Sequence, residues 1–252
     1  MVYPPGQGKC GQYLMQLWRQ YLEQYAEHEG SIENQIVVAS YHAAEIFGFL
    51  SLSLDRDGRY KSLIEERVRH FQEGSSRARV FGDHLVNATF AIYNHLNTLG
   101  RQFTAASREA RELLQQVDEK VRETVLSEGQ IERSASAMRA AFPTLSLMTL
   151  MLDSKGTAAP AIRQVEQRFA SGASRQGSAW DQLLNSLYRI VEMMQLLVVL
   201  SDPDLRGQVD QIASRFEEED QPAELTAKLR NGFCRMFELG HLLGNHLDEI
   251  LS

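Results

Sequence analysis

Apolar residues recur at intervals of three and four along almost the whole chain. The first example is residues 9–28, where Leu14, Leu17 and Tyr21 fall on one helical face, and Ser31 is expected to cap the next helix. No segment shows the alternation of apolar and polar residues that a half-buried strand requires. The pattern predicts an all-α protein of about nine to ten helices in one or more multi-helix bundles, with antiparallel neighbours and no sheet.

Glycine, serine and proline mark the predicted ends of several helices. The Gly-Ser-Ser sequence at 74–76 predicts a helix end, and Pro143 predicts a restart between helices at 131–141 and 145–152. Residues 101–127 form one amphipathic pattern with a narrow apolar seam, which predicts a long, largely exposed helix. We expect no internal repeat at a fixed period.

Two loops rich in small residues, at 153–159 and 171–178, mark the best candidate for a domain boundary. We therefore expect an N-terminal helical bundle over residues 1–153, which contains the long helix near 101–127. A more apolar C-terminal bundle would cover residues 154–252. The alternative is that both segments pack together as one domain.

The charge of the chain limits the partners to be expected. The net charge is −7, which argues against broad binding to a phosphate backbone, although arginines cluster locally. Nucleic acid is therefore expected only near this cluster, if at all. Its members are Arg67, Arg69, Arg77 and Arg79.

Three further features of the sequence favour a cytoplasmic protein. The two cysteines lie near opposite ends, the N-terminus has no apolar leader, and the longest apolar stretches are too short to span a membrane.

Metal and cofactor sites are not predicted. The turn from Asp55 to Gly58 lies between two predicted helices, as an EF-hand loop does, but Ile64 stands where that loop needs glutamate. Glu238 and His241 have the spacing found in di-iron helical bundles, but a second copy of the pair is lacking. We expect neither metal nor cofactor.

Arginine followed closely by histidine resembles the short motif of the HEPN helical ribonucleases, in which both side chains contact the scissile phosphate. Arg79 and His84 carry this spacing, as do Arg77 with His84 and Arg235 with His241. The resemblance implies a metal-independent helical ribonuclease or RNA-associated subunit, with Arg79 and His84 as the catalytic pair. We keep it as an alternative function.

Methionine is concentrated in the second half of the chain, on its most apolar segments. Because methionine is flexible and polarizable, a surface lined with it can accept a partner helix. The predicted partner-binding residues are Met148, Met151, Met194, Leu197 and Phe237. Together with Leu145, Leu152 and Ile190, most of them are expected to form one apolar cluster.

These observations favour a non-enzymatic helical adaptor or assembly subunit that binds another protein, or itself, through apolar helix faces. The seam at 101–127 favours a homodimer. Besides the ribonuclease, a second alternative is a helical pocket for an apolar or cofactor ligand near Met148, Met151 and Met194. The sequence contains no nucleotide-binding fingerprint or recognisable catalytic triad, so enzymatic activity is the less favoured reading.

Overall fold

The computed structural model describes residues 9–26, 31–105, 107–124, 129–173, 177–219 and 224–251. Within these ranges the chain forms ten α-helices and a 3₁₀ turn at Pro203–Leu205, with no strand. The helices are α1 (Lys9–Ala26), α2 (Ile32–Leu54), α3 (Lys61–Arg77), α4 (Phe81–Phe103), α5 (Arg108–Thr124), α6 (Gln130–Leu152), α7 (Ala159–Ala173), α8 (Ala179–Ser201), α9 (Arg206–Glu219) and α10 (Leu225–Leu251). The predicted all-α, multi-helix architecture is confirmed.

The even-numbered helices form a closed inner ring. Helix α2 packs on α4, α4 on α6, α6 on α8, α8 on α10, and α10 returns to α2. Each odd-numbered helix lies outside and packs on the two inner helices beside it, so α1 covers the junction between α10 and α2. The fold is therefore a ring of five helical hairpins, each with one outer and one inner helix.

Neighbours along the chain are antiparallel, whereas neighbours in the inner ring are parallel. The start of α4 meets the end of α3, where Asn87 Nδ2 donates to Phe71 O at 3.0 Å. Helices α2 and α4 instead run in the same direction. Tyr41, in the first half of α2, pairs with His84 near the start of α4, and Ser51 donates to His95 O further along both helices. The prediction of antiparallel neighbours thus holds within a hairpin, and the ring adds parallel contacts.

The hairpins repeat with a fixed period, contrary to the expectation from the sequence. Helices α2, α4, α6 and α8 begin at residues 32, 81, 130 and 179, which are 49 residues apart, and each is 23 residues long. The sequence carries the same period weakly: Leu85-Val-Asn87-Ala recurs as Leu183-Leu-Asn185-Ser and, in α10, as Leu229-Arg-Asn231-Gly. Most other positions diverge, which hides the repeat.

The turns that leave the inner helices repeat as well. An N–H donates to the carbonyl three residues earlier at 2.9–3.2 Å, with the acceptors Asp55, Thr104, Asp153 and Asp202 spaced by the same 49 residues. In the first and third of these turns the donors, Gly58 and Gly156, have φ of 68° and 70°, a left-handed conformation that favours glycine. The backbone of α2 and α6 therefore ends in the same way.

Two predicted helix breaks are absent because packing against neighbouring helices overrides the local signal. Helix α3 continues through Gly74, where the Asn87 side chain lies so close that a Cβ would be 2.0 Å from its Oδ1. Gly172 and Asn185 repeat this contact in the fourth hairpin. Helix α6 also continues through Pro143, with both flanking segments buried against α4 and α8. The predicted restart at Pro143 was wrong.

The long helix predicted at 101–127 is two elements over its described residues, while residues 106 and 125–127 lie outside the part of the chain that the structure describes. Residues 101–103 end α4, and Thr104 forms a turn before Ser107, whose carbonyl accepts the first hydrogen bond of α5. Neither glycine nor proline marks this turn, so the helical pattern continues across it. Helix α5 has mostly exposed side chains among those described, as expected, but Leu114 is buried.

One apolar core joins the residues on both sides of the predicted boundary at 153. Phe142 of α6 stacks on Phe169 of α7 at 4.0 Å, and α8 and α10 complete the ring with α6 and α2. Residues of the two predicted segments thus share one core, and the division into domains stays a prediction. Whether either segment folds independently stays a prediction.

Three inner helices, Ile32–Leu54, Gln130–Leu152 and Ala179–Ser201, are long and apolar enough to cross a membrane. Their apolarity also has a use in the fold, since half to two-thirds of their most apolar windows are buried in the protein. An inner helix contacts neighbours on several sides and needs apolar residues on more than one face. The cytoplasmic location and the absence of a membrane span stay predictions.

Candidate functional site

The predicted partner-binding residues belong mostly to the interior of the ring. Met148, Met194, Leu197 and Phe237 are at most 3% exposed, and all belong to one apolar core. The rest of the predicted cluster, Leu145, Ile190 and Leu152, packs with them, Leu152 being only partly buried. Met151 differs, with an exposure of 39%.

An apolar strip lies at the carboxyl ends of α6 and α8. Leu150 is 41% exposed beside Met151, and the equivalent residues of α8, 49 positions later, are Val199 and Leu200, which are half-buried. Because α6 and α8 are packed neighbours, these four residues lie at the same end of adjacent helices. We call them the α6–α8 strip.

The side chains of the ribonuclease-like pair bond to different parts of the fold. His84 Nδ1 is 2.8 Å from Tyr41 Oη of α2. The Arg79 guanidinium donates to the carbonyls of Ser76 and Ala78 in its own turn, at 3.0 and 3.2 Å. No contact between Arg79 and His84 side chains is found among the described residues, and the ribonuclease function stays a prediction.

The arginine cluster divides between the interior and the surface. Arg67 is inserted between α3 and α4, where it donates to Asn94 O and Thr98 Oγ1, and burial lowers its pKa to about 10. Arg69, Arg77 and Arg79 are exposed. Nucleic-acid binding at this cluster stays a prediction. Arg67 differs from the other three arginines because its guanidinium is bonded to α4.

Beside Arg67, a polar network joins α4 to α5. The Asp118 carboxylate accepts hydrogen bonds from Tyr93 Oη and Asn97 Nδ2, the latter at 3.0 Å, and pairs with Arg101. Burial and the hydrogen bond to Asp118 raise the pKa of Tyr93. These groups fix α5 onto the ring, and the sequence alone did not identify them because the partners are 17 to 25 residues apart.

A cavity of about 390 Å³ lies between α1, α2, α3 and α4. Its walls are mostly apolar. They comprise Tyr13, Ala44, Gly48, Phe49, Leu52, Ile64, Val68 and Phe71, with the polar residues Glu45, Gln72 and His95. Tyr13 stacks on Phe49, with ring centroids 5.3 Å apart. This cavity lies away from Met148, Met151 and Met194, where the sequence led us to expect a pocket.

His95 is the most deeply buried polar residue of this cavity, with 1% of its surface exposed. Neither ring nitrogen hydrogen-bonds to a described residue, and Nδ1 is wholly enclosed. The ring passes over Gly48, where a Cβ would be 3.2 Å from Nε2. Burial and the nearby Arg67 lower the pKa of His95 to about 4, so the ring is neutral at neutral pH.

Two of the lining residues, Ala44 and Gly48, are small residues at repeated positions of the inner helices. Tyr93, Phe142 and Val191 occupy the position of Ala44 at the 49-residue period, and Asn97, Ser146 and Gln195 occupy that of Gly48. Helix α10 begins 46 residues after α8, so its equivalents, aligned on Leu229 with Leu183, are Phe237 and His241. This difference could have been found in the sequence, but only after the hairpins had been aligned at their 49-residue period. Without the period, Ala44 and Gly48 are ordinary helix residues.

Among the described residues, no group of three or more histidine, cysteine, aspartate or glutamate side chains could hold a metal ion. Glu238 pairs with Arg215, and His241 Nε2 lies 3.1 Å from Leu14 O. The Asp55 carboxylate accepts from the backbone N–H of Tyr60 at 3.0 Å.

Comparisons with protein-family models, curated proteins and solved structures found no match for this chain.

Proposed function

We propose that this protein is a non-enzymatic assembly subunit that forms a homodimer through the α6–α8 strip. The observation that carries the proposal is the exposure of Leu150 and Met151, two adjacent large apolar residues, at 41% and 39%. Both follow a helix segment whose other apolar side chains are largely buried. Adjacent exposed apolar residues are common at protein interfaces, where methionine is enriched.

The repeat supports a continuous surface. Val199 and Leu200 extend the apolar character onto α8, whereas Arg101 and Gln102 occupy the equivalent positions in α4. The strip is therefore bounded on the α4 side by a charged residue and an amide, as expected for an interface with a polar rim.

Sedimentation velocity over the micromolar range tests the proposal. We expect the wild-type protein to dimerise and the double variant Leu150→Asp/Met151→Asp to remain monomeric, because two carboxylates would be desolvated in the interface. The melting temperature should change little, since both side chains are substantially exposed.

Val80→Asp is the matched control. Val80 is 54% exposed but precedes α4, at the other end of the inner ring, so this variant should still dimerise. A wild-type protein that stays monomeric at all concentrations would contradict the proposal. An equal loss of association in both variants would place the interface elsewhere.

A further inference from the structure

The cavity between α1 and α4 has the dimensions of a small-molecule site. Ligand pockets in proteins usually measure roughly 300–1,000 Å³ and combine apolar walls with a few polar groups. This cavity, at about 390 Å³, has a buried apolar floor that includes Ala44, Ile64 and Phe71. Tyr13 and Leu52, at 44% and 51% exposure, lie at its mouth.

His95 supplies a polar group without a protein partner. Buried side-chain nitrogens are nearly always hydrogen-bonded, and an unmade bond costs about 1–3 kcal/mol. A neutral imidazole has one donor and one acceptor nitrogen. A hydroxyl group both donates and accepts, so it matches a ring nitrogen in either tautomer. Nδ1 is enclosed, so the hydroxyl would bond to Nε2, which lies beside the lining residue Gly48.

Charges at the cavity disfavour an anion. The Glu45 carboxylate lines the cavity and is 2.9 Å from His42 Nδ1. Burial and, as a smaller cause, the charge of Glu45 raise the pKa of Tyr13. The neutral His95 ring gives no compensating positive charge, and the nearby Arg67 does not line the cavity but donates to Asn94 O and Thr98 Oγ1. The aromatic faces of Tyr13, Phe49 and Phe71 favour a flat apolar body.

We propose that this cavity binds a small, uncharged, largely aromatic or cyclic molecule that carries one hydroxyl group, which hydrogen-bonds to His95. The site is independent of the α6–α8 strip, because it is built from other helices. Ala44 and Gly48 are the small residues of its wall, and the ring of His95 lies against Gly48.

Equilibrium dialysis with three related probes tests the ligand class: 2-naphthol, naphthalene and 2-naphthoate. The wild-type protein should bind 2-naphthol about tenfold more tightly than naphthalene, since one net hydrogen bond contributes about 1.4 kcal/mol. The anion 2-naphthoate should bind most weakly. Failure to bind 2-naphthol up to its solubility limit, or a preference for naphthalene or 2-naphthoate, would overturn the proposal.

Two variants place the probe in the cavity. His95→Leu should bind 2-naphthol and naphthalene with nearly equal affinity, because it removes only the polar group. Ala44→Phe, which introduces the residue found at the equivalent positions 142 and 237, should bind neither probe. Ala44→Val provides a smaller intrusion if the phenylalanine variant does not fold.

The double variant Leu150→Asp/Met151→Asp is the control for adsorption to exposed apolar surface, and it should bind 2-naphthol like the wild type. Unchanged binding of 2-naphthol by both Ala44 variants would show that the probe lies elsewhere and would refute the site. Loss of dimerisation has no bearing on these results, so the two proposals can fail separately.

Discussion

The first and second hairpins place different chemistry at the same position of the ring. In α2 this position holds Ala44 and Gly48, and a cavity opens between α2 and its neighbours. In α4, 49 residues later, it holds Tyr93 and Asn97, whose side chains reach Asp118 of α5. One backbone architecture therefore supports an open apolar space in one hairpin and a filled polar network in the next.

The comparison shows that residue size and polarity are more constrained at some repeated positions of the inner helices than at others. Leu50, Leu99, Met148 and Leu197 occupy one repeated position, and all are large, apolar and at most 3% exposed. These residues fill the inner core, so this position accepts few other residue types. The positions of Ala44 and Gly48 lie where inner and outer helices meet, and there the hairpins differ in size and polarity. Sequence divergence at those positions can therefore create a binding site without changing the inner core.

The largest effect is expected in the polar network. Asp118→Ala should lower the free energy of unfolding by about 2 to 3 kcal/mol, because it leaves the buried Tyr93 hydroxyl and Asn97 amide without their acceptor and Arg101 without its counter-ion. Urea denaturation measures the change. Glu119→Ala, an exposed neighbour on α5, should change stability by less than about 0.5 kcal/mol. Equal effects of the two substitutions would mean that the network does not stabilise the contact between α4 and α5.

A pH titration of stability tests the first hairpin's cavity through His95. The unfolded histidine protonates near pH 6.5 and the folded one near its pKa of about 4, so the unfolded state binds more protons between these values. Stability should therefore be intact above pH 6.5 and decrease on acidification, with His95 alone accounting for about 2 kcal/mol at pH 5.

The measurement compares wild type with His95→Gln, by urea denaturation at pH 8 and pH 5. His241, whose pKa burial also lowers to about 4, remains in both proteins, so the difference in their pH dependence isolates His95. Identical pH dependence of the two proteins would contradict a buried, neutral His95.

The smallest effect concerns packing in the cavity itself. Ala44→Val should raise the free energy of unfolding by up to about 1 kcal/mol, because Ala44, although fully buried, lines the cavity and its added methyl groups can extend toward that space. Ala43→Val is the matched control: Ala43 is fully buried but does not line the cavity, so its added volume should destabilise the protein by about 1 to 3 kcal/mol. Thermal denaturation of both variants distinguishes the sites, and destabilisation by Ala44→Val would argue that the cavity is not available to a side chain.

Much of the fold was predictable, whereas the candidate sites were not. The apolar periodicity predicts the helices, and most predicted ends lie within a few residues of those observed. The sequence predicted a set of partner-binding residues that is larger than the exposed one. Met148 and Phe237 of that set are buried, whereas Met151 is exposed. Burial depends on which helices meet, and residues of one apolar face look alike in sequence whether they are covered by a neighbour or by none.

The sequence by itself determined the local structure. Ser31 accepts from Asn34 N at the start of α2, as its capping position predicts, and Ser178 with Asp181 forms a capping box at the start of α8. Such signals depend on atoms three or four residues apart, so they can be read without a tertiary structure. Only the tertiary structure decided that α3 passes through Gly74, that five hairpins close into a ring, and that His95 lies over Gly48. These features depend on side chains from distant segments that meet only after the ring has closed, and no local pattern encodes that meeting.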